Sequence, residues 1–216
     1  MDTVQQLKQS LASRNIKGLA IDIDETLSWT IMYWVQKMQE LFGNPEGLTP
    51  QELIAKYRYT QHVPYWQSNE AIEWMDKHRN SNEIQEVLPL IEGADKAIHK
   101  INETCPVVVY LTTRPAIVVP GTKNWLVKHE FPPAEIIARP AEVRAQDGNT
   151  WKASVLEELY PQVIGIIDDN PGLADSLSAT YEGTVLLYDN SHHARDDIKV
   201  VPGKSWDDIL SGISAL

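Results

Sequence analysis

A chain of 216 residues, 43% hydrophobic and 23% charged, is long enough to bury a substantial core and has an ordinary globular balance. Its formal net charge of −11 argues against a nucleic acid polymer as partner, since a phosphate backbone calls for basic surface. A small phosphorylated ligand, held by one local positive site, stays compatible with that charge. Cys105 is the single cysteine, so there is no intramolecular disulfide framework, and no apolar run reaches the length that spans a bilayer.

The opening residues, MDTVQQLKQSL, lack the basic start and apolar centre of a signal peptide, and the expected location is cytoplasmic. Residues 2–13 read as a short amphipathic helix with Val4, Leu7 and Leu11 on one face. The stretch KGLAIDIDET (17–26) follows. Its apolar run suits a strand buried on both faces and carries Asp22 and Asp24 to the carboxyl end. Ligands of an open parallel sheet sit just beyond such ends. Two aspartates there are costly unless a cation or a catalytic task employs them, although a strand end with a capped turn is the plain alternative. A calcium loop is excluded, because Leu27 would fall where glycine is needed and Tyr33 where a bidentate glutamate is needed.

Residues 29–85 read as a helical, aromatic-rich region, with a helix start at Thr49-Pro50 and Glu52 three residues beyond the threonine. From Val87 the pattern alternates. VLPLIEGADKAIHKINE reads as a helix, PVVVYL as a strand running into Thr112, Thr113 and Arg114, and GTKNWLVKHEF as a helix. EIIARP is an expected strand, and NTWKASVLEELY a helix capped by Asn149 or Thr150. VIGIID is a strand ending in Asp168 and Asp169; GLADSLSA, TVLLYD and SWDDILSGI complete the series as helix, strand and helix. Alternation of this kind implies a parallel sheet covered on both faces. PGKS (202–205) is not the end of a phosphate loop, since its first glycine would fall on Ile198, and no G-x-G-x-x-G occurs.

Parallel strands place Asp22, Asp24, Thr112, Asp168 and Asp169 on one sheet edge, with Lys152 near a helix start beside them. Taken alone, Thr112 reads as a turn hydroxyl, Lys152 as a solvated lysine, and Asp168–Asp169 before Asn170–Pro171–Gly172 as a turn and cap. Together they carry the groups that phosphoryl transfer needs. Asp22 can attack phosphorus, Asp24 can move protons, and Thr112 and Lys152 can hold the equatorial oxygens. Hard Mg2+ with oxygen ligands offsets the charge of an anionic ester facing a carboxylate.

AIDIDETL resembles the first motif of the haloacid dehalogenase (HAD) superfamily of phosphohydrolases, and VVVYLTTRP the second. NTWKASVLEEL resembles the third and VIGIIDDNP the fourth, in family order over nearly the whole chain. The resemblance implies an α/β fold, a Rossmann-like parallel sheet with helices on both faces, plus an inserted all-helical cap of the C1 type. Residues 1–28 and 86–216 would form the core and 29–85 the cap. It implies Asp22 as nucleophile and Asp24 as general acid/base. It also implies Mg2+ held by the Asp22 side chain, the Asp24 carbonyl and Asp168, with Asp169 as ligand or just behind. Glu25 stands where many members have glycine, and DDNPGLAD departs from the commoner fourth motif.

The implied activity is a Mg2+-dependent phosphatase acting on a small phosphorylated metabolite, with a nucleotidase as one form. A phosphomutase shares the motifs, and a catalytically silent binding protein is the non-enzyme alternative. Thr113, Arg114, Tyr33, Trp34, Tyr65 and Trp66 are candidates for substrate contact, although aromatics in a small helical unit also serve as its core. The expected partner is the small substrate, with no nucleic acid polymer and no membrane, and the chain is expected to be a monomer or homodimer.

Overall fold

The computed structural model describes residues 3–213; residues 1–2 and 214–216 lie outside the described residues, among them Asp2 of the first expected helix. Helix α1 (Thr3–Ser13) leads into β1 (Gly18–Ile21), all four residues of which are buried. Between β1 and the next strand come α2 (Thr30–Phe42), α3 (Pro50–Tyr57), α4 (Asn69–Arg79), α5 (Asn82–Val87) and α6 (Ala94–Thr104). Strand β2 (Val107–Pro115), α7 (Val119–Lys128), β3 (Glu135–Arg139), α8 (Gly148–Leu159) and β4 (Val163–Asp168) follow. The chain closes with α9 (Pro171–Ser176), β5 (Thr184–Tyr188), β6 (Lys199–Gly203) and α10 (Trp206–Ile213).

All paired strands are parallel, in the order β3-β2-β1-β4-β5-β6. The order reverses at β1, so the crevice beyond the carboxyl ends of β1 and β4 is the topological switch point where this class of sheet binds ligands. Toward the opposite, amino-terminal end of the sheet, Gly18 and Gly165 let neighbouring chain segments approach closely. A Cβ on Gly18 would lie 2.2 Å from the Pro106 carbonyl oxygen, and one on Gly165 2.4 Å from that of Thr184.

Strand residues alternate between two cores, as the period of 2 demands. Ala20, Val109, Ile166 and Val185 face a cluster filled by α1, α8 and α9. Leu19, Ile21, Tyr110, Ile167 and Leu186 face the opposite cluster, filled by α6, α7 and α10. A third cluster lies wholly in the inserted helices and is built on Val35, Met38, Leu53, Val63, Trp66 and Ala71. Helix α3 starts as the sequence implies: Thr49 accepts from the Glu52 N–H while the Glu52 carboxylate accepts from the Thr49 N–H at 2.7 Å. Helix α5 packs on α7, where Asn82 Oδ1 accepts from the Gly121 N–H at 2.7 Å.

Three expectations need correction. The helix expected from Val87 begins only at Ala94, because Pro89 lacks a donor and Gly93 turns the chain with φ 80°. Helix α8 begins at Gly148 after a 3-10 turn (Ala145–Asp147), so Asn149 and Thr150 lie in its first turn rather than at its cap. Strand β6 went unforeseen, since Pro202 argues against a strand interior. It is tolerated because β6 is an edge strand, pairing only with β5 among the described residues. Among the described residues no helix is long and apolar enough to cross a membrane.

Trp66 is 1% exposed at the centre of the inserted cluster, and its indole N–H donates to the Gly43 carbonyl at 2.9 Å. Trp66→Ala removes a large buried side chain and should destabilise the protein by about 3–5 kcal/mol. Urea unfolding of the variant measures it, and a loss below about 1 kcal/mol would contradict this packing role.

Candidate active site

Asp22 follows the last residue of β1 and stays in the ladder, its N–H donating to the Ile167 carbonyl at 2.9 Å. The chain then turns sharply. Leu27 and Ser28 N–H both donate to the Ile23 carbonyl at 2.8 Å, and Glu25 takes φ 60° while its N–H donates to the Ser28 carbonyl. Asp168 is the last residue of β4, beside β1, and Asp169 follows it.

Lys152, in the second turn of α8 and 2% exposed, reaches between the two strands. Its Nζ lies 2.5 Å from Asp22 Oδ1 and 2.6 Å from Asp168 Oδ2. Thr26 Oγ1 stands 3.4 Å from Asp22 Oδ2 and 3.5 Å from Asp169 Oδ1. Among the described residues no basic group lies within 4 Å of the Asp169 carboxylate.

Asp24 belongs to a second ionic unit. The buried Arg114 guanidinium brings Nε to 3.1 and 3.0 Å from its two oxygens and Nη2 to 2.7 Å from Oδ1. Thr30 at the start of α2 donates to the same Oδ1 at 2.5 Å. Two further Arg114 N–H groups donate to Thr122 Oγ1 at 3.2 Å and to Ser28 Oγ at 2.8 Å. Thr112, 1% exposed near the end of β2, accepts from the Arg114 N–H at 3.1 Å, and the Thr113 carbonyl accepts from Arg139 Nε at 3.0 Å.

These surroundings push the two aspartates in opposite directions. Burial raises Asp22, and although the Lys152 charge opposes it, the Asp168 and Asp24 carboxylates help bring it to about 7. Burial also acts against ionised Asp24, but the charge and hydrogen bonds of Arg114, with Thr30, outweigh it and hold that carboxyl below its ordinary value. Burial, reinforced by Asp168 and Asp22, raises Asp169 well above the usual carboxylate range. Burial lifts Glu25 to about 8, with the Asp24 and Asp22 charges adding to it against the Ile31 N–H that Glu25 accepts. For Lys152, burial pulls downward and is outweighed by the Asp168 and Asp22 charges, so the ammonium stays charged.

The donor set fits a hard divalent cation. Asp22, Asp168 and Asp169 each offer one carboxylate oxygen, all within 4.8 Å of one another. Oxygens around a Mg2+ at about 2.1 Å stand roughly 3 to 4 Å apart, so a small contraction completes the set.

A cleft of 510 Å³ opens beside this centre, bordered on the inner side by Glu25 and Asp169. Its walls include Trp29, Ile31, Ile54, Arg58 and Tyr59 from the inserted helices, Ile91 and Glu92 from the returning chain, and Tyr188, Asp189 and Asn190 after β5. Tyr33, Trp34, Tyr65 and Trp66 are placed elsewhere. Tyr33 and Trp34 meet edge-on at 5.3 Å, Trp34 meets Trp74 at 6.1 Å, and Tyr65 donates to Asn44 Oδ1 at 3.4 Å. Hydrophobic patterning does not point to Arg58 and Tyr59 as cleft residues, since their placement follows a non-glycine φ of 63° at Arg58. Trp29 had one sign, its position just beyond the aspartate turn.

No protein-family model and no curated protein sequence matches the chain. Solved structures do. A HAD family hydrolase from Deinococcus radiodurans R1, with bound phosphate and sodium, is 15% identical with a TM-score of 0.52, covering 93% of this chain and 97% of that one. A HAD-superfamily hydrolase from Ehrlichia chaffeensis is 16% identical with a TM-score of 0.45, covering 93% and 98%. A phosphoserine phosphatase from T. onnurineus is 14% identical with a TM-score of 0.47, covering 93% and 96%.

A carboxyl with a raised folded-state pKa keeps its proton where the unfolded chain has lost it. Its contribution to stability is complete at low pH and is lost as pH rises through the window, here from about 4 to about 8. A cation replaces those protons, so the gain in Tm on adding Mg2+ should grow from pH 5 to pH 8. Calorimetry across that range checks it, and an equal gain at both ends would contradict it. At the identities found the likeness is one of architecture: the chain has the α/β fold of the haloacid dehalogenase superfamily hydrolases.

Proposed function

We propose that the protein is a Mg2+-dependent phosphatase that hydrolyses a small phosphorylated metabolite through an aspartyl-phosphate on Asp22. The convergence of Asp22, Lys152, Asp168 and Asp169 at the switch point of the sheet carries this reading. In it, residues 1–28 and 86–216 are the core, and residues 29–85 are a cap that shields the site from water.

The residues divide the work as follows. Asp24 takes up a proton from solvent as the anionic ester binds; an Asp22 carboxylate oxygen then attacks phosphorus, the bond from phosphorus to the ester oxygen breaks, and Asp24 gives that proton to the departing alkoxide. Water then attacks phosphorus while Asp24 takes a proton from it, and the bond to Asp22 breaks, releasing inorganic phosphate. Lys152 neutralises charge on Asp22 and the phosphoryl oxygens, and the Thr112 hydroxyl donates to one of those oxygens. Asp22, Asp168 and the Asp24 carbonyl would hold Mg2+, with Asp169 as ligand or just behind. When bound, Mg2+ offsets the negative charge of ester and carboxylates.

In this reading Arg114 is a positioning residue, because four of its five guanidinium N–H donors go to Asp24, Thr122 and Ser28. It keeps Asp24 ionised, ready to act as base on water. A dianionic ester arriving beside Asp24 raises its proton affinity, which is the direction the first step needs.

Asp22→Asn should form no phosphoenzyme and turn over near background. Asp24→Asn keeps the nucleophile, so with an activated ester the slowed hydrolysis should leave phosphate on the Asp22 peptide, detectable by rapid-quench mass spectrometry. General acid–base catalysis sets the size of that slowing at roughly 10²–10⁴-fold. An adduct on another peptide, or normal turnover by Asp22→Asn, would sink the mechanism.

Arg114→Met should move the acidic limb of single-turnover dephosphorylation to higher pH, since Asp24 then keeps its proton longer. An unmoved limb would remove Arg114 from this role.

A further inference from the structure

The 510 Å³ cleft has a charge pattern that phosphoryl transfer does not require. Its outer border carries the exposed carboxylates Glu92 and Asp189 against a single cation, Arg58, while burial favours the uncharged form of Glu25 and Asp169 on the inner side. Glu92 and Asp189 are exposed, and among the described residues neither has a basic partner within 4 Å. The Arg58 guanidinium lies over the Tyr59 ring, 5.3 Å from its centroid, so an aromatic face already engages its charge. Trp29 and Tyr59 are 37% and 38% exposed, and the Tyr188 ring is fixed by stacking on Trp206 at 4.5 Å.

We propose that this cleft selects a phosphomonoester whose leaving alcohol has a flat apolar body and a positively charged amine, and that it discriminates against alcohols bearing a second anionic group. The inference rests on the phosphatase reading, because it takes the phosphoryl group to lie at Asp22 and the alcohol to extend past Glu25 and Asp169. Three physical effects point the same way. Aromatic faces and carboxylates together attract an ammonium group through ring quadrupoles and Coulomb attraction. Low-dielectric walls of one sign focus the field inside a cleft. A second anion brought beside the rim carboxylates meets like charge, which lowers binding of the wrong partner.

The test uses the full chain with Mg2+ and three esters of one ring system: 4-(aminomethyl)phenyl, 4-methylphenyl and 4-(carboxymethyl)phenyl phosphate. The expected order of kcat/KM is amine, methyl, carboxylate, with the first exceeding the last by about tenfold or more at low salt. The ratio should shrink at high salt, because charges at an exposed rim are screened. Glu92→Gln with Asp189→Asn should reduce the ratio to about threefold or less, and Arg58→Gln should widen it. Equal kcat/KM for the three esters, or preference for the carboxylate, would overturn the inference while leaving the phosphatase reading intact. Failure of the Mg2+-loaded protein to hydrolyse any of the three would overturn both.

Discussion

The contact on which the site depends is the buried ammonium of Lys152 between Asp22 and Asp168. Three carboxylates converge at the carboxyl ends of two adjacent strands, and without a cation among them their mutual repulsion and lost hydration would oppose folding. Lys152 can reach them only because α8 is fixed against the sheet by Ala153, Leu156 and Leu159, which belong to the same cluster as Ala20 and Ile166. Apolar packing on one face thus determines where a positive charge stands at the edge. One cation for three carboxylates still leaves an excess of negative charge, and a divalent ion suits that excess.

Asp22 and Asp24 are two residues apart yet answer to different cations. One borrows its counter-charge from a helix that follows β3, the other from Arg114 at the end of β2. Their proton affinities diverge as a result, upward for Asp22 and downward for Asp24. Two carboxyls driven apart by their surroundings are a general sign of divided labour in acid–base chemistry. Here the division comes from distant parts of the sequence acting on one short turn.

Much of this was legible beforehand, because charged residues directly after apolar runs reveal strand ends, and strand ends of a parallel sheet share an edge. Asp22, Asp168 and Asp169 stand out that way, and Lys152 by its place near the start of the helix NTWKASVLEELY. Periodicity is weaker at showing what a buried residue packs against. Trp66 reads as apolar and helical from sequence, but only the fold puts it at the centre of the inserted cluster. Strand β6 was hidden by Pro202, whose cost vanishes at an edge. Arg58 and Tyr59 were hidden because a positive φ in a non-glycine residue leaves no mark in the pattern.

The inserted helices leave and rejoin the core at one place. Ser28 forms an antiparallel bridge with Leu90, the Trp29 N–H donates to the Pro89 carbonyl, and the Ile91 N–H donates to the Leu27 carbonyl at 2.8 Å. With its two ends clamped side by side, the segment is a closed loop as seen from the sheet. Closing a loop costs only about 0.6 kcal/mol more for each doubling of its length, so the core is nearly indifferent to how much chain the clamp encloses. What the core does constrain is the clamp itself, which shares Ser28 with the Asp24–Arg114 unit. An enclosed segment of different size or sequence can therefore be exchanged with little thermodynamic penalty to the sheet, provided the clamp and α5, which packs on α7 through Asn82, are kept.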